Sequence, residues 1–194
     1  MNIEQIESRF KEIAKITEDI SYYPIPRMTT NTQTTTNKVK SDTFGEVFTP
    51  LWLVDEMIDR VSDSDWKDQS KTTLDLCAGY GQFTIRLIRK KYTLLGDSFD
   101  INSFLTQTHH FSELQLDSCY NLLYIFGADI NLFIGDSREL PKLNSTAKGI
   151  WVFRNSCWSD ITEEIKTLFS NSKLDVFVGQ FDSITVKQLS FMEW

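Results

Sequence analysis

Cysteine is scarce in this 194-residue chain: Cys77, Cys119 and Cys157 are odd in number and form no CxxC pair. A disulfide framework or a zinc knuckle is therefore excluded as the organising device. Histidine is scarcer still, and its two copies, His109 and His110, stand side by side with no partner at ligand spacing, so no metal is expected. No apolar run approaches the ~20 residues of a membrane span, and Met1 to Phe10 is charged throughout, unlike a signal peptide. Cations are outnumbered, with 20 Lys and Arg against 27 Asp and Glu and a formal net charge of -7. Such a balance excludes a protein that grips a polyanion over its whole surface, and leaves room only for a local basic strip. These absences together predict a soluble protein of the reducing cytoplasm. What remains is a chain with 41% hydrophobic and 13% aromatic residues, enough for one well-cored domain with some decoration.

Three divisions follow from the pattern. Over residues 1–23, Ile3, Ile6, Phe10, Ile13 and Ile16 recur at three- and four-residue steps, which predicts an amphipathic helix docked on the core. Residues 24–44 begin with Pro24 and Pro26 and continue as a Thr/Asn-rich tract, the signature of a linker or mobile loop. Its stretch from Arg27 to Lys40 holds Arg27, Lys38 and Lys40 and no acid.

Residues 45–194 alternate strand and helix patterns. Thr49 is placed as an N-cap and Pro50 as the first helical residue of "PLWLVDEMIDRV". A short strand, "TTLDL", runs into the small-residue turn "CAGYG" and a helix, "FTIRLIRKKY". Arg86, Arg89, Lys90 and Lys91 on that helix read as a solvated face or as a strip facing phosphates. Further strands are read at "THHFSELQ", "INLFIGDS", "KGIWVF" and "KLDVFVGQF", and helices at "LDSCYNLLYIFG", ending at Gly127, and "DITEEIKTLF", capped by Asp160. Trp151, Phe153 and Phe177 are assigned to the core. The alternation predicts an open, mostly parallel α/β sheet flanked by helices, with any ligand at the carboxyl ends of the strands.

Acids recur at three of those ends: Asp75, Glu113 and Asp136. Carboxylates accept from ribose hydroxyls, an adenine amino group or an ammonium and repel a pyrophosphate. The turn has neither the lysine and hydroxyl of a P-loop nor a full GxGxxG, having only Gly79 and Gly81. A nucleoside carrying a positive charge fits better than one carrying phosphates.

With those residues in place, "GEVFTP" at 45–50 followed by "LDLCAGYGQF" at 74–83 resembles the paired motifs of the class I S-adenosylmethionine-dependent methyltransferases, and in particular the DNA adenine-N6 methyltransferases of bacteria and phages. The resemblance spans about residues 44–153. It implies a Rossmann-like methyltransferase sheet with S-adenosyl-L-methionine as cofactor. It gives Phe48, Thr49 and Pro50 a place at the methionine end, and Asp75, Ala78, Gly79 and Gly81 the turn along which the cofactor lies. Glu113 takes the ribose hydroxyls, Leu114 packs on the adenine, and Asp136 accepts from its amino group.

Two departures stand out. The motif's proline after the aspartate is Leu76 here, and the catalytic [DN]-P-P-[YFW] is missing, since the chain contains no Pro-Pro dipeptide. Its nearest counterparts are "NSCW", with Asn155 and Trp158 as catalytic candidates, and "QFDS" at 180–183. The prolines stiffen the loop that aims acceptors at one nitrogen, and Ser156 and Cys157 do not supply that rigidity. The resemblance thus admits an active adenine methyltransferase of restriction-modification type. It equally admits a pseudoenzyme serving as a binding or counter-defence module, or a methyltransferase for RNA or protein. DNA held by a local basic strip and a protein partner supplying target recognition are the partners it implies.

Overall fold

The computed structural model describes residues 1–14, 49–144 and 146–171. Five strands, β1 (Thr73–Leu76), β2 (His109–Glu113), β3 (Asn131–Ile134), β4 (Ile150–Arg154) and β5 (Cys157–Asp160), form one sheet in the order β1-β2-β3-β4-β5. The first four are parallel, and β5 returns antiparallel to β4. Around the sheet lie α1 (Ile3–Ala14), α2 (Leu51–Ile58), α3 (Asp63–Lys67), α4 (Gln82–Leu95), the single turn α5 (Ile101–Ser103), α6 (Leu116–Phe126) and α7 (Thr162–Asn171). This is the mostly parallel α/β arrangement that the alternating pattern predicts. No described helix is long and apolar enough to cross a membrane.

Strand order decides where the helices lie. Right-handed crossovers that all step the same way across a sheet deliver their helices to one face. Here α4 joins β1 to β2 and α6 joins β2 to β3. Phe111, Leu132, Ile134, Ile150 and Val152 share a core cluster with Phe10 of α1, Val54 of α2, Ile85 and Ile88 of α4 and Leu122 of α6. The alternate residues point the other way, as the pleat requires. There, Leu74 and Leu76 of the edge strand are 46% and 55% exposed. Trp151 and Phe153 lie on this second face outside the core cluster. Their assignment to the core is corrected on that ground: they occupy strand positions offset by one from the buried Ile150 and Val152. Phe177 and the strand read at "KLDVFVGQF" lie outside the described residues, as do Ile16 and residues 24–44.

The cations of α4 overturn both readings of that helix. Arg86, 1% exposed, donates from Nε to Asp55 Oδ1 at 2.6 Å and from Nη2 to Asp55 Oδ2 at 2.9 Å. Arg89 pairs with Glu7 of α1, and Lys90 with Asp59 and Asp63. Lys91, buried, donates to the Trp66 carbonyl and lies over the Trp66 and Phe104 rings. The row of charge is neither a solvated face nor a strip open to phosphate. It holds α1, α2 and α3 onto α4.

Boundaries shift in small ways. Pro50 rather than Thr49 is the N-cap of α2, whose first amides are taken by the Pro50 carbonyl. Gly127 ends α6 in a conformation with φ 89°, and Asp160 accepts from the Thr162 amide at the start of α7, both as their residue types predict.

Candidate ligand site at the strand ends

The segment between β1 and α4 turns through three left-handed residues, Cys77 (φ 57°), Gly79 (φ 55°) and Gly81 (φ 81°). Left-handed backbone costs a residue with a Cβ about 1 kcal/mol or more, so two of the three positions are glycine. The turn is tied down by its own amides: Ala78 N donates to the Ser112 carbonyl at 3.0 Å and Gly81 N to the Ala78 carbonyl at 2.8 Å. A Cβ on Gly81 meets Phe126 Cε2 at 2.6 Å and Leu122 Cδ2 at 3.2 Å. At this position glycine answers to the close approach of α6, not to a ligand.

Glu113 bridges the turn to the next strand. Its Oε2 accepts from Gly79 N at 2.8 Å, and its Oε1 accepts from Leu114 N at 2.7 Å and Gln115 N at 2.8 Å. A carboxylate offers about four acceptor sites, so one on Oε2 remains for a further donor. Leu114 beside it is 40% exposed, as unusual for an aliphatic residue at this edge as the exposure of Leu76. An open apolar side chain beside a carboxylate and a row of backbone amides suits a ligand with a flat apolar part and hydroxyls. The adjacent amide of Gly135 donates to the Glu113 carbonyl, bringing the end of β3 to the same edge. Asp136 follows, and there the Arg138 guanidinium and backbone amide both donate to its carboxylate, holding it below the usual carboxylate range. Arg138 itself is exposed, so the pair faces solvent on the guanidinium side.

Asp75 is buried beneath the turn. Burial pushes its carboxyl up to about 7, against the hydrogen bond from Thr84 and with the negative charge of Glu113 adding to the rise. Thr84 Oγ1 lies 2.9 Å from Asp75 Oδ2 and 2.8 Å from His109 Nε2, while His109 Nδ1 lies 2.7 Å from Thr73 Oγ1. Burial pushes the His109 imidazole down to about 3, so it stays neutral. Nothing in the residue types alone announced this chain of contacts.

Asp75, Ala78, Gly79, Gly81, Glu113, Leu114 and Asp136 thus gather along the carboxyl edge of β1, β2 and β3. No family model, curated protein or solved structure matches the chain. Its residues must speak for themselves, and two of the candidates stand apart. Asn155 (φ 50°) and Ser156 (φ 62°) are the two central residues of the tight turn joining β4 to β5, in which Arg154 pairs with Cys157. Left-handed values at both positions are the mark of a type I′ hairpin. Trp158 lies on β5, packs against Phe133 and Phe153, and donates from Nε1 to the Glu139 carbonyl. β4 is three strand spacings from β1, roughly 14 Å. Phe48 lies outside the described residues, and Thr49 and Pro50 lead into α2. Among the described residues no three His, Cys, Asp or Glu side chains converge on a metal-sized site.

Proposed function

We propose that the chain binds S-adenosyl-L-methionine at the carboxyl edge of β1 to β3, as a methyltransferase-fold protein related to the DNA adenine-N6 methyltransferases. The observation that carries the reading is the pairing of Gly79 N with the Glu113 carboxylate across two adjacent strand ends, with one carboxylate acceptor site left over. In this reading Glu113 holds the ribose hydroxyls, Leu114 packs on the purine, and Asp136 receives the adenine amino group once Arg138 has moved aside. Bound there, the ligand supplies an electrophilic methyl group on a sulfonium sulfur. The buried carboxyl of Asp75 and the carboxylates of Glu113 and Asp136 make the edge favourable to a cation.

Binding without transfer is the second reading, and the hairpin favours it. Asn155 serves the turn's geometry and Trp158 is committed to Phe133, Phe153 and the Glu139 carbonyl, so neither is aimed at a base lying against Gly79. An active enzyme would need an extruded adenine placed by other residues. Calorimetric titration of the whole chain with S-adenosyl-L-methionine, beside Gly79→Trp and with folding checked by circular dichroism, tests the site. Saturable heat in the unchanged protein and none in a folded Gly79→Trp supports it; no heat in the unchanged protein overturns it. Tritium transfer from the labelled cofactor to adenine-containing DNA then separates enzyme from binding protein.

A further inference from the structure

The buried contacts running from β1 through β2 to α4 form an unbroken series of groups that both donate and accept. We propose that Thr73, His109, Thr84 and Asp75 constitute a proton wire between the partly exposed start of β1 and the carboxyl buried beneath the glycine turn. The three links measure 2.7, 2.8 and 2.9 Å, all within ordinary hydrogen-bond range. When the oxygen that titrates is Oδ2, the one facing Thr84, two arrangements satisfy every member. With Asp75 ionised, Thr84 must donate to the carboxylate, His109 Nε2–H must donate to Thr84, and bare Nδ1 accepts from Thr73. With Asp75 protonated on Oδ2, the series reverses: Asp75 donates to Thr84, Thr84 donates to bare Nε2, and Nδ1–H donates to Thr73. Each threonine carries one hydrogen and a neutral imidazole carries one, so no member can change direction alone.

The passage of a proton is balanced along this series. Solvent gives a proton to Thr73 Oγ1 as Thr73 passes its own to His109 Nδ1. The proton on Nε2 moves to Thr84 Oγ1, and the Thr84 hydroxyl proton moves to Asp75. The imidazole begins and ends neutral and exchanges only its tautomer. Its surroundings enforce this: the ring is fully buried, stacked on Phe104 and edge-on to Phe111. The charged and titratable groups facing the wire are Glu113 and His110 of β2 and Lys91 of α4. Glu113 opposes ionisation of Asp75, while His110 and Lys91 oppose a cationic His109. Asp75 stands two residues before Cys77, the first left-handed residue of the turn, so the wire sets the charge beneath the ligand edge.

The chain has two histidines, which makes the test direct. Nitrogen-15 shifts of the imidazole rings report which nitrogen carries hydrogen, and the Asp75 carboxyl carbon-13 shift reports its ionisation. In the unchanged protein the two His109 nitrogens are expected to trade protonated-type and bare-type shifts at the pH where Asp75 titrates. Thr84→Ser keeps that coupling, whereas in Thr84→Val Asp75 titrates with no change in His109. Asp75→Asn, whose amide does not titrate, is expected to hold His109 in one tautomeric form at every pH, and it keeps the test decisive if Thr84→Val does not fold. One and the same His109 tautomer on both sides of the Asp75 midpoint in the unchanged protein, or a pH-dependent tautomer in Asp75→Asn, overturns the wire.

Discussion

Removing the carboxylate of Asp55 leaves the Arg86 guanidinium charged, 1% exposed and without the partner that takes both its Nε and Nη2 hydrogens. Deleting one member of a buried ion pair costs about 3–5 kcal/mol, because the surviving charge is left desolvated. Against a net stability of about 5–15 kcal/mol that is a large fraction, and for a domain of this size it corresponds to a fall in melting temperature of roughly 6–20 °C. The pair also joins α2 to α4, so its loss should loosen the N-terminal helices together. Asp55→Ala is therefore expected to melt well below the unchanged protein by circular dichroism. Asp55→Leu with Arg86→Met, which replaces the pair by apolar bulk, should recover most of the loss, since such exchanges are often neutral or better. If Asp55→Ala costs under about 1 kcal/mol, the range of exposed pairs, α4 carries a surface strip after all and its reading as a staple is wrong.

Four further outcomes follow from the same structure. Ionising Asp75 is resisted in the folded state up to about 7 against an ordinary 3.8, so on its account stability falls as pH rises through that window. His109 is held down to about 3 against an ordinary 6.5, so on its account stability falls as pH drops through its window. Between about 4 and 6.5 the two slopes oppose one another, and Asp75→Asn should uncover a stability that rises with pH there. Denaturant midpoints that show the same pH dependence in both proteins would contradict this. Ser156→Gly relieves left-handed strain in the β4–β5 turn and should raise stability by up to about 1 kcal/mol. Asn155→Gly should cost little stability, so any methyl transfer it abolishes would restore Asn155 as a catalytic candidate. Gly81→Ala places a Cβ 2.6 Å from the Phe126 ring at φ 81° and should destabilise by about 2–4 kcal/mol, read from denaturant melts.

Much of the fold was legible because its signals are local. The α1 stripe of Ile3, Ile6 and Phe10, the Gly127 stop and the Asp160 cap each declare themselves within a few residues. The β4–β5 hairpin did not, because Asn155-Ser156 lacks the glycine that normally marks a type I′ turn, and "NSCW" read as a loop after a strand. The segment from Gly96 to Thr108 also escaped, being built of single turns, among them α5, too short to show a period. The α4 cations were misread for a different reason. Their partners Glu7 and Asp55 stand 82 and 31 residues away, and no spacing rule within a helix announces them. At the site, the gathering of Asp75, Glu113 and Asp136 on one edge was foreseeable from strand order. Consumption of the Glu113 carboxylate by three amides was not, since it depends on how the turn folds back.

The central claim concerns that carboxylate and the nucleoside it is held to receive. Titrating nitrogen-15 labelled protein with S-adenosyl-L-methionine and following the amides of Gly79, Leu114 and Gln115, all donors to Glu113, examines it at single atoms. The account predicts that these three resonances move together and saturate with the ligand. Shifts confined to other parts of the protein, with these three amides unmoved at saturation, would contradict it.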